Sequence, residues 1–317
     1  MGSLRVFLLG RFAIVHEGAD QTDQFPRRAQ ELFCYLLMSS GKPHLRENLV
    51  DALWSDESYS QPRKVFRHVL WQLHTSLGKL GDGVHDPPLT LEGDWVSLNP
   101  RSCVACDVVD FELAINEAHQ AASTGALEPY TSALRKAVNL YMGDLLPAWY
   151  CDWCLRERER LQILYLSALD QLVDCCEAQQ SYDEGLTLVE RILQIDAVHE
   201  RAYQQLMRLH YYRGDRASAV RQYERCASVL QAELHISPGR QTQALLEQIR
   251  DDRLSPSSLP HAGGPGIAAP IELNTPAEPS TPADVLMRLL HLQNMLAEAQ
   301  SQLARDLCAL QSWLRAE

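Results

Sequence analysis

The residues best suited to chemistry lie between Gln61 and Gly78, in the stretch QPRKVFRHVLWQLHTSLG. It holds Arg63, Lys64, Arg67, His68 and His74 and no acidic residue, inside a chain of net charge −12. At helical spacing Phe66, Leu70, Leu73 and Leu77 share one face, while Lys64, Arg67, His68, Trp71 and Thr75 share another. A rod with an oily side can dock on a small domain and turn its cationic side to phosphates. The chemistry on offer is therefore recognition of a polyanion. Lys64, Arg67 and His68 are the candidates for groove or phosphate contact. Gln72 carries an amide able to pair with adenine, and Arg63 at the helix start is placed for positioning on a phosphate backbone. Trp71 can pack on a sugar or on a neighbouring helical domain. Arg101, further along, is an additional phosphate candidate. The competing reading is a solvated helix face, and the surrounding elements decide between the two.

Those elements are legible on either side. Leu4 to Val15 alternates loosely through Val6, Leu8, Phe12 and Ile14, which predicts one or two strands around Gly10. Pro26 opens a helix over 27–39 whose Leu32, Phe33, Leu36 and Leu37 share a face, and a shorter helix follows from about Leu45 to Trp54. After the basic helix come a polar turn, a strand at Leu89–Leu91, a Gly93-Asp94 turn and a strand at Trp95–Leu98. Strand, three helices and a terminal hairpin describe a winged helix over residues 1–102, with the third helix set for the major groove and the hairpin as the wing.

From about 103 to 251 the pattern is almost purely helical, with a weak repeat near 34 residues, the period of tetratricopeptide (TPR) helix pairs. The clearest unit is Glu200 to Leu230, with Gly214 at its turn, Ala219 at a small-residue crossing and Tyr223 on the second helix. A shift of 34 places Gln180, Gly185 and Val189 at the same three positions. Residues 252–283, rich in Pro, Ser, Gly and Ala, predict a flexible linker. Residues 284–317 keep a 3-4 apolar spacing through Leu289, Leu292, Leu296, Leu303, Leu310 and Trp313. That suits either a coiled-coil homodimer seam or a helix packed on its own repeat domain. The expected fold class is mainly α with a small β component.

Composition narrows the function. The acidic balance argues against a protein that coats nucleic acid over its whole surface, but leaves room for one local basic face. No GxxxxGK[ST], HExxH or GxSxG occurs, so neither an enzyme nor a bound cofactor is expected. Cys103-x-x-Cys106 and Cys151-x-x-Cys154 imitate a four-thiolate zinc site. The long gap between them favours ordinary core thiols, and no metal is expected. In the alternating run Arg156 to Arg160 the expectation is a solvated face with i,i+4 pairs; in Cys175-Cys176 it is one buried and one exposed thiol. Without a membrane-length apolar run or a cleavable leader, a cytoplasmic protein is expected.

Several segments together resemble the bacterial transcriptional activator domain family, the group that includes the antibiotic regulatory activators. They are Arg27-Arg28, VDALW ending at Trp54, the Arg63–Gly78 helix, WVSLNP from Trp95 to Pro100, and Asp107 with Phe111. Beyond these come LYMGDLLP (Leu140–Pro147), DWCLRERERL (Asp152–Leu161), ERILQID (Glu190–Asp196), LMRLHYYRGDRASAVRQYERC (Leu206–Cys226) and LQAELHISPGRQTQALLEQIR (Leu230–Arg250). The resemblance spans roughly residues 4 to 250. It implies a response-regulator-type winged helix fused to helical repeats, binding double-stranded promoter DNA and contacting RNA polymerase as a transcriptional activator. This chain has Gln72, His74 and Thr75 where many relatives carry arginines, which implies fewer released counterions and a shallower salt dependence. The alternative is a TPR-type interaction scaffold with little or no DNA binding.

Overall fold

A computed structural model describes residues 4–39, 42–54, 61–80, 88–99 and 104–254. The expected tail at 284–317 and all of the expected linker beyond residue 254 lie outside the described residues. So does Arg101.

The N-terminal part is built on two small sheets and three helices. Strands β1 (Leu4–Phe7) and β2 (Ala13–His16) pair antiparallel with Val6 opposite Ile14, and both of these side chains are buried. The alternation in the sequence thus reports one face turned to the core. The short β3 (Ala19–Asp20) extends the sheet beyond β2, and β7 (Val104–Cys106) lies parallel to β1 on its other side. Helices α1 (Arg27–Met38), α2 (Arg46–Trp54) and α3 (Pro62–Lys79) pack around Leu32, Phe33, Leu36, Leu49, Trp54, Phe66, Leu70 and Leu73. Rings of Trp54 and Phe66 meet at 6.0 Å, joining α2 to α3. Pro62 stands at the start of α3, where its missing N–H costs no helical hydrogen bond. The second sheet runs β4 (His44–Leu45), β6 (Trp95–Leu98), β5 (Leu89–Glu92), with Glu92 opposite Trp95. Two residues close this hairpin, and Gly93 takes the left-handed backbone (φ +59°) that the tight reversal demands.

The remainder is a stack of antiparallel helix pairs. α4 (Asp107–Thr124) and α5 (Leu127–Leu140) turn at Gly125, and α6 (Asp152–Ala178) and α7 (Tyr182–Ile195) at Gln180. α8 (Glu200–Tyr212) and α9 (Arg216–Leu234) turn at Gly214, and α10 (Arg240–Arg250) closes on α8 and α9. The small-residue positions have a steric cause: a Cβ on Gly185 would stand 3.1 Å from a Leu209 methyl, and Ala219 is fully buried. Asp215 caps α9 by accepting the Ser218 N–H at 2.9 Å. The chain is thus mainly α with a small β component, a winged helix followed by TPR-like repeats.

The two parts share one apolar core running from Leu4 to Leu230. Where they meet, backbone joins backbone: Gly10 N–H donates to the Asp144 carbonyl and Leu146 N–H to the Leu8 carbonyl, each at 2.9 Å. Gly10 has φ +77°, and a Cβ there would sit 2.9 Å from the Met142 carbonyl oxygen, so only glycine permits this approach. This contact accounts for the LYMGDLLP segment. Asp107, at the start of α4, accepts the N–H groups of Leu8 (2.9 Å), Leu9 (3.0 Å) and Val108 (2.8 Å).

Two sequence expectations need correction. Arg158 is not part of a solvated face. Its guanidinium turns inward to donate to the carbonyls of Leu145, Leu146 and Trp149 at 2.7–2.8 Å, which ties the loop together from the helix side. Cys175 and Cys176 are both buried, because α6 is covered on two sides by α5 and α7.

Candidate nucleic-acid interface

The orientation of α3 is fixed from within. Phe66, Val69, Leu70, Leu73 and Leu77 are buried, and the buried Ser76 hydroxyl donates to the Gln24 carbonyl at 3.1 Å. That side-chain lock leaves the opposite face to solvent. Arg63, Lys64, Arg67, His68, Trp71 and His74 are exposed there, and Gln72 and Thr75 are half-buried along its edges. Trp71 is 62% exposed, so it does not pack on the helical repeats. Its indole stacks on the His68 ring instead, with centroids 6.0 Å apart and planes inclined by 23°. The pair forms a flat apolar-aromatic shelf between cations.

Among the described residues neither Lys64 nor Arg67 is ion-paired, whereas Arg63 meets Glu47 of α2 at 2.7 Å. Both partners of that pair are more than 70% exposed, so the bridge contributes roughly 0–1 kcal/mol and a phosphate can displace the carboxylate. The first 102 residues carry 11 Lys and Arg against 12 Asp and Glu. They are close to neutral, and the chain's negative excess lies beyond them. The basic face therefore sits on the part of the molecule least hostile to a polyanion.

The wing differs in character. Residues 88–99 contain Glu92 and Asp94 but no cation. Leu91 and Trp95 are exposed on the hairpin at 42% and 45%, so it offers apolar surface rather than phosphate-binding charge.

Behind the face, the seam between the two parts is held by side chains that sequence reasoning did not single out. Arg27 of α1 lies over the Trp149 ring at 4.0 Å, Phe12 meets Trp149 at 5.5 Å, and Tyr35 meets Trp153 edge-on at 5.5 Å. Of these and Asp107, only Arg27, Trp153 and Asp107 had a signal, as residues of the segments carrying the family resemblance, and none was assigned to the seam. Burial raises the Asp107 carboxyl above the ordinary carboxylate range, against the three N–H groups that favour its charge. Deeper in the repeats, Arg201 pairs with Asp174 (2.6 Å) and Arg208 with Glu177 (2.8 Å). His199 bonds Asp170 at 3.1 Å, and this carboxylate raises the imidazole above its usual value. Among the described residues no group of three or more His, Cys, Asp or Glu is placed to hold a metal ion, and no helix is long and apolar enough to cross a membrane.

Comparison with known proteins agrees with this architecture. The chain is 25% identical over 248 residues to the regulatory protein AfsR of Streptomyces coelicolor, covering 78% of this chain and 24% of AfsR. It therefore spans about a quarter of the length of that relative. Its fold is similar to that of Mycobacterium tuberculosis EmbR, solved in complex with a low-affinity phosphopeptide. The TM-score is 0.70 at 20% identity, over 80% of this chain and 67% of that one. Residues 106–250 match the model for the bacterial transcriptional activator domain. The chain thus resembles that family over residues 106–250, a little under half of its length.

Proposed function

We propose that the protein is a transcriptional activator that binds promoter DNA with α3 in the major groove and uses its helical repeats to contact RNA polymerase in the cytoplasm. The observation that carries this reading is the uncovered basic face of α3. Lys64, Arg67, His68 and Trp71 are exposed together on a helix without an acidic residue, while its other face is locked in the core. Lys64 and Arg67 neutralise phosphates, Arg63 positions the helix start once released from Glu47, and Gln72 and Thr75 stand at the edge that meets base edges. The aromatic shelf of Trp71 on His68 suits packing against a deoxyribose. The wing, lacking cations between residues 88 and 99, contributes apolar contact through Trp95 and Leu91. Cytosolic reducing conditions suit the free thiols of the described residues.

The test is a salt titration of DNA binding with the variant Lys64→Ala/Arg67→Ala. Each phosphate contact removed lowers the slope of log K against log salt by about 0.9, so the double variant flattens it by about one to two. An unchanged slope removes α3 as the contact. Absence of any fragment preference in gel shifts with genomic DNA favours a protein-interaction scaffold instead.

A further inference from the structure

We infer that Trp71 is a specificity-determining residue that reads thymine: in the major groove its indole, backed by His68, packs against the 5-methyl group of one thymine in each binding site. This assignment rests on α3 being the helix that meets DNA, and it names what that helix recognises there.

The place of Trp71 on the helix carries the inference. At about 100° per residue, Lys64, His68 and Trp71 fall farthest from the six buried positions between Phe66 and Leu77. Arg67 and His74 fall towards one flank and Gln72 towards the other. A helix lying in the major groove turns its crest to the groove floor, where the base edges are, and its flanks to the two sugar-phosphate walls. Trp71 therefore faces base edges, whereas Arg67 on the flank faces a phosphate. Among the exposed residues of α3, Trp71 alone carries a largely apolar side chain. The His68 ring lies alongside it at 6.0 Å, inclined by 23°, and the indole is still 62% exposed. The shelf is thus formed before DNA arrives, and it has an uncovered surface to offer.

The chemistry of the base edges selects the partner. In the major groove guanine presents two acceptors, adenine an acceptor and a donor, and cytosine a donor. Thymine alone adds a methyl group to its acceptor. An indole has no acceptor and a single N–H donor at its rim, so its broad ring gains most from the methyl. That methyl stands beside the sugar of the preceding nucleotide on the same strand, so a ring resting on that deoxyribose covers the methyl as well. Taking one methyl-sized group out of water raises affinity about fourfold. The cations of α3 cannot supply this preference, because phosphates are alike at every sequence and their contribution falls with salt. The methyl contact adds a bias for thymine that salt leaves in place.

The experiment uses the full chain. A pool of duplexes with a randomised core is enriched on the protein. The tightest duplex is then remade with deoxyuridine in place of one thymidine at a time, which removes the methyl and nothing else. Fluorescence anisotropy gives the affinities of the parent, Trp71→Ala and Trp71→Phe. At one thymine in each site the parent loses about fourfold when the methyl is removed. Trp71→Ala binds the two duplexes equally. Trp71→Phe, which keeps a ring but has no N–H, keeps the difference. The ratio holds from low to moderate salt while both affinities fall. A parent indifferent to every thymine methyl overturns the inference, as does an equal methyl penalty in Trp71→Ala. Loss of the difference in Trp71→Phe overturns it too, since the N–H and not the ring is then the reading group. A parent that enriches no sequence refutes DNA recognition by α3 itself and takes the inference with it, whereas a methyl penalty that ignores Trp71 removes the inference alone.

Discussion

Asp107→Ala isolates the joint between the two parts. In the folded chain this carboxylate is the acceptor for three main-chain donors, from Leu8, Leu9 and Val108, at 2.8–3.0 Å. Leu8 and Leu9 are at most 2% exposed, so water does not replace it. A buried donor without a partner costs about 1–3 kcal/mol, which gives about 3–9 kcal/mol for the set. Removing a carboxylate that burial disfavours returns about 1–2 kcal/mol. The net expectation is a loss of about 1–8 kcal/mol, measured by urea unfolding followed through both tryptophan fluorescence and helical circular dichroism. Asp107→Asn keeps the shape and one acceptor oxygen and loses about half as much. The carboxyl is raised in the folded chain, so its contribution is complete below the ordinary carboxylate range and falls as pH rises through the folded value. The Asn variant consequently closes part of its gap to the parent between acid and neutral pH. An Asp107→Ala protein within about 1 kcal/mol of the parent refutes the reasoning.

Gly10→Ala and Gly18→Ala make a matched pair, with φ of +77° and +81°. The first places a Cβ against the Met142 carbonyl and the second meets open space. Gly18→Ala loses about 1–2 kcal/mol from backbone strain alone, and Gly10→Ala at least about 1 kcal/mol more, in the same urea assay. Equal losses contradict the close approach at the seam. His199 is raised by Asp170, so its stabilisation is full below its unfolded value of about 6.5 and is lost as pH rises through the folded value. The gap in melting temperature between parent and His199→Gln therefore narrows as pH rises above the ordinary imidazole value of about 6.5. His44 and His210, lowered by burial, act in the opposite sense and lose stability as pH falls below about 6.5. Trp71→Ala, at an exposed site, leaves unfolding free energy within about 0.5 kcal/mol of the parent. The same variant weakens DNA binding about fivefold in fluorescence anisotropy, an effect of about 1 kcal/mol. Unaltered affinity removes Trp71 from the interface.

What the sequence disclosed and what it hid divide along physical lines. Local patterns were readable: α1, expected over 27–39, ends at Met38, and α2 and the Gly93-Asp94 hairpin stand where apolar spacing and turn residues put them. The buried and exposed faces of α3 follow its 3.6-residue period. The repeat alignment at Gly214, Ala219 and Gln180, Gly185 matches real turns and crossings. Long-range pairings were not readable. β3 and β4 are two residues each and leave no periodic trace, while β7 exists as a strand only because β1 lies beside it, each pair of partners 100 positions apart in sequence. Arg158 resembles its charged neighbours in the string, and only the carbonyls of Leu145, Leu146 and Trp149 that converge on its guanidinium give it a different task. Trp71 was balanced between packing and solvent until neighbouring elements were placed around it.

The parallel pairing of β7 with β1 bears on how the protein can be dissected. A fragment ending at residue 102 would lose both that strand and the Asp107 acceptor, leaving β1 as a bare edge with unsatisfied amides in front of an apolar sheet. Such an edge invites strand exchange between copies. Extending the cut to Thr124 restores the strand and the carboxylate but uncovers the apolar side of α4, whose Phe111, Ala114 and Ala118 belong to the common core. Half-proteins of this kind therefore report on their own exposed faces, and affinities measured on them carry the signature of self-association.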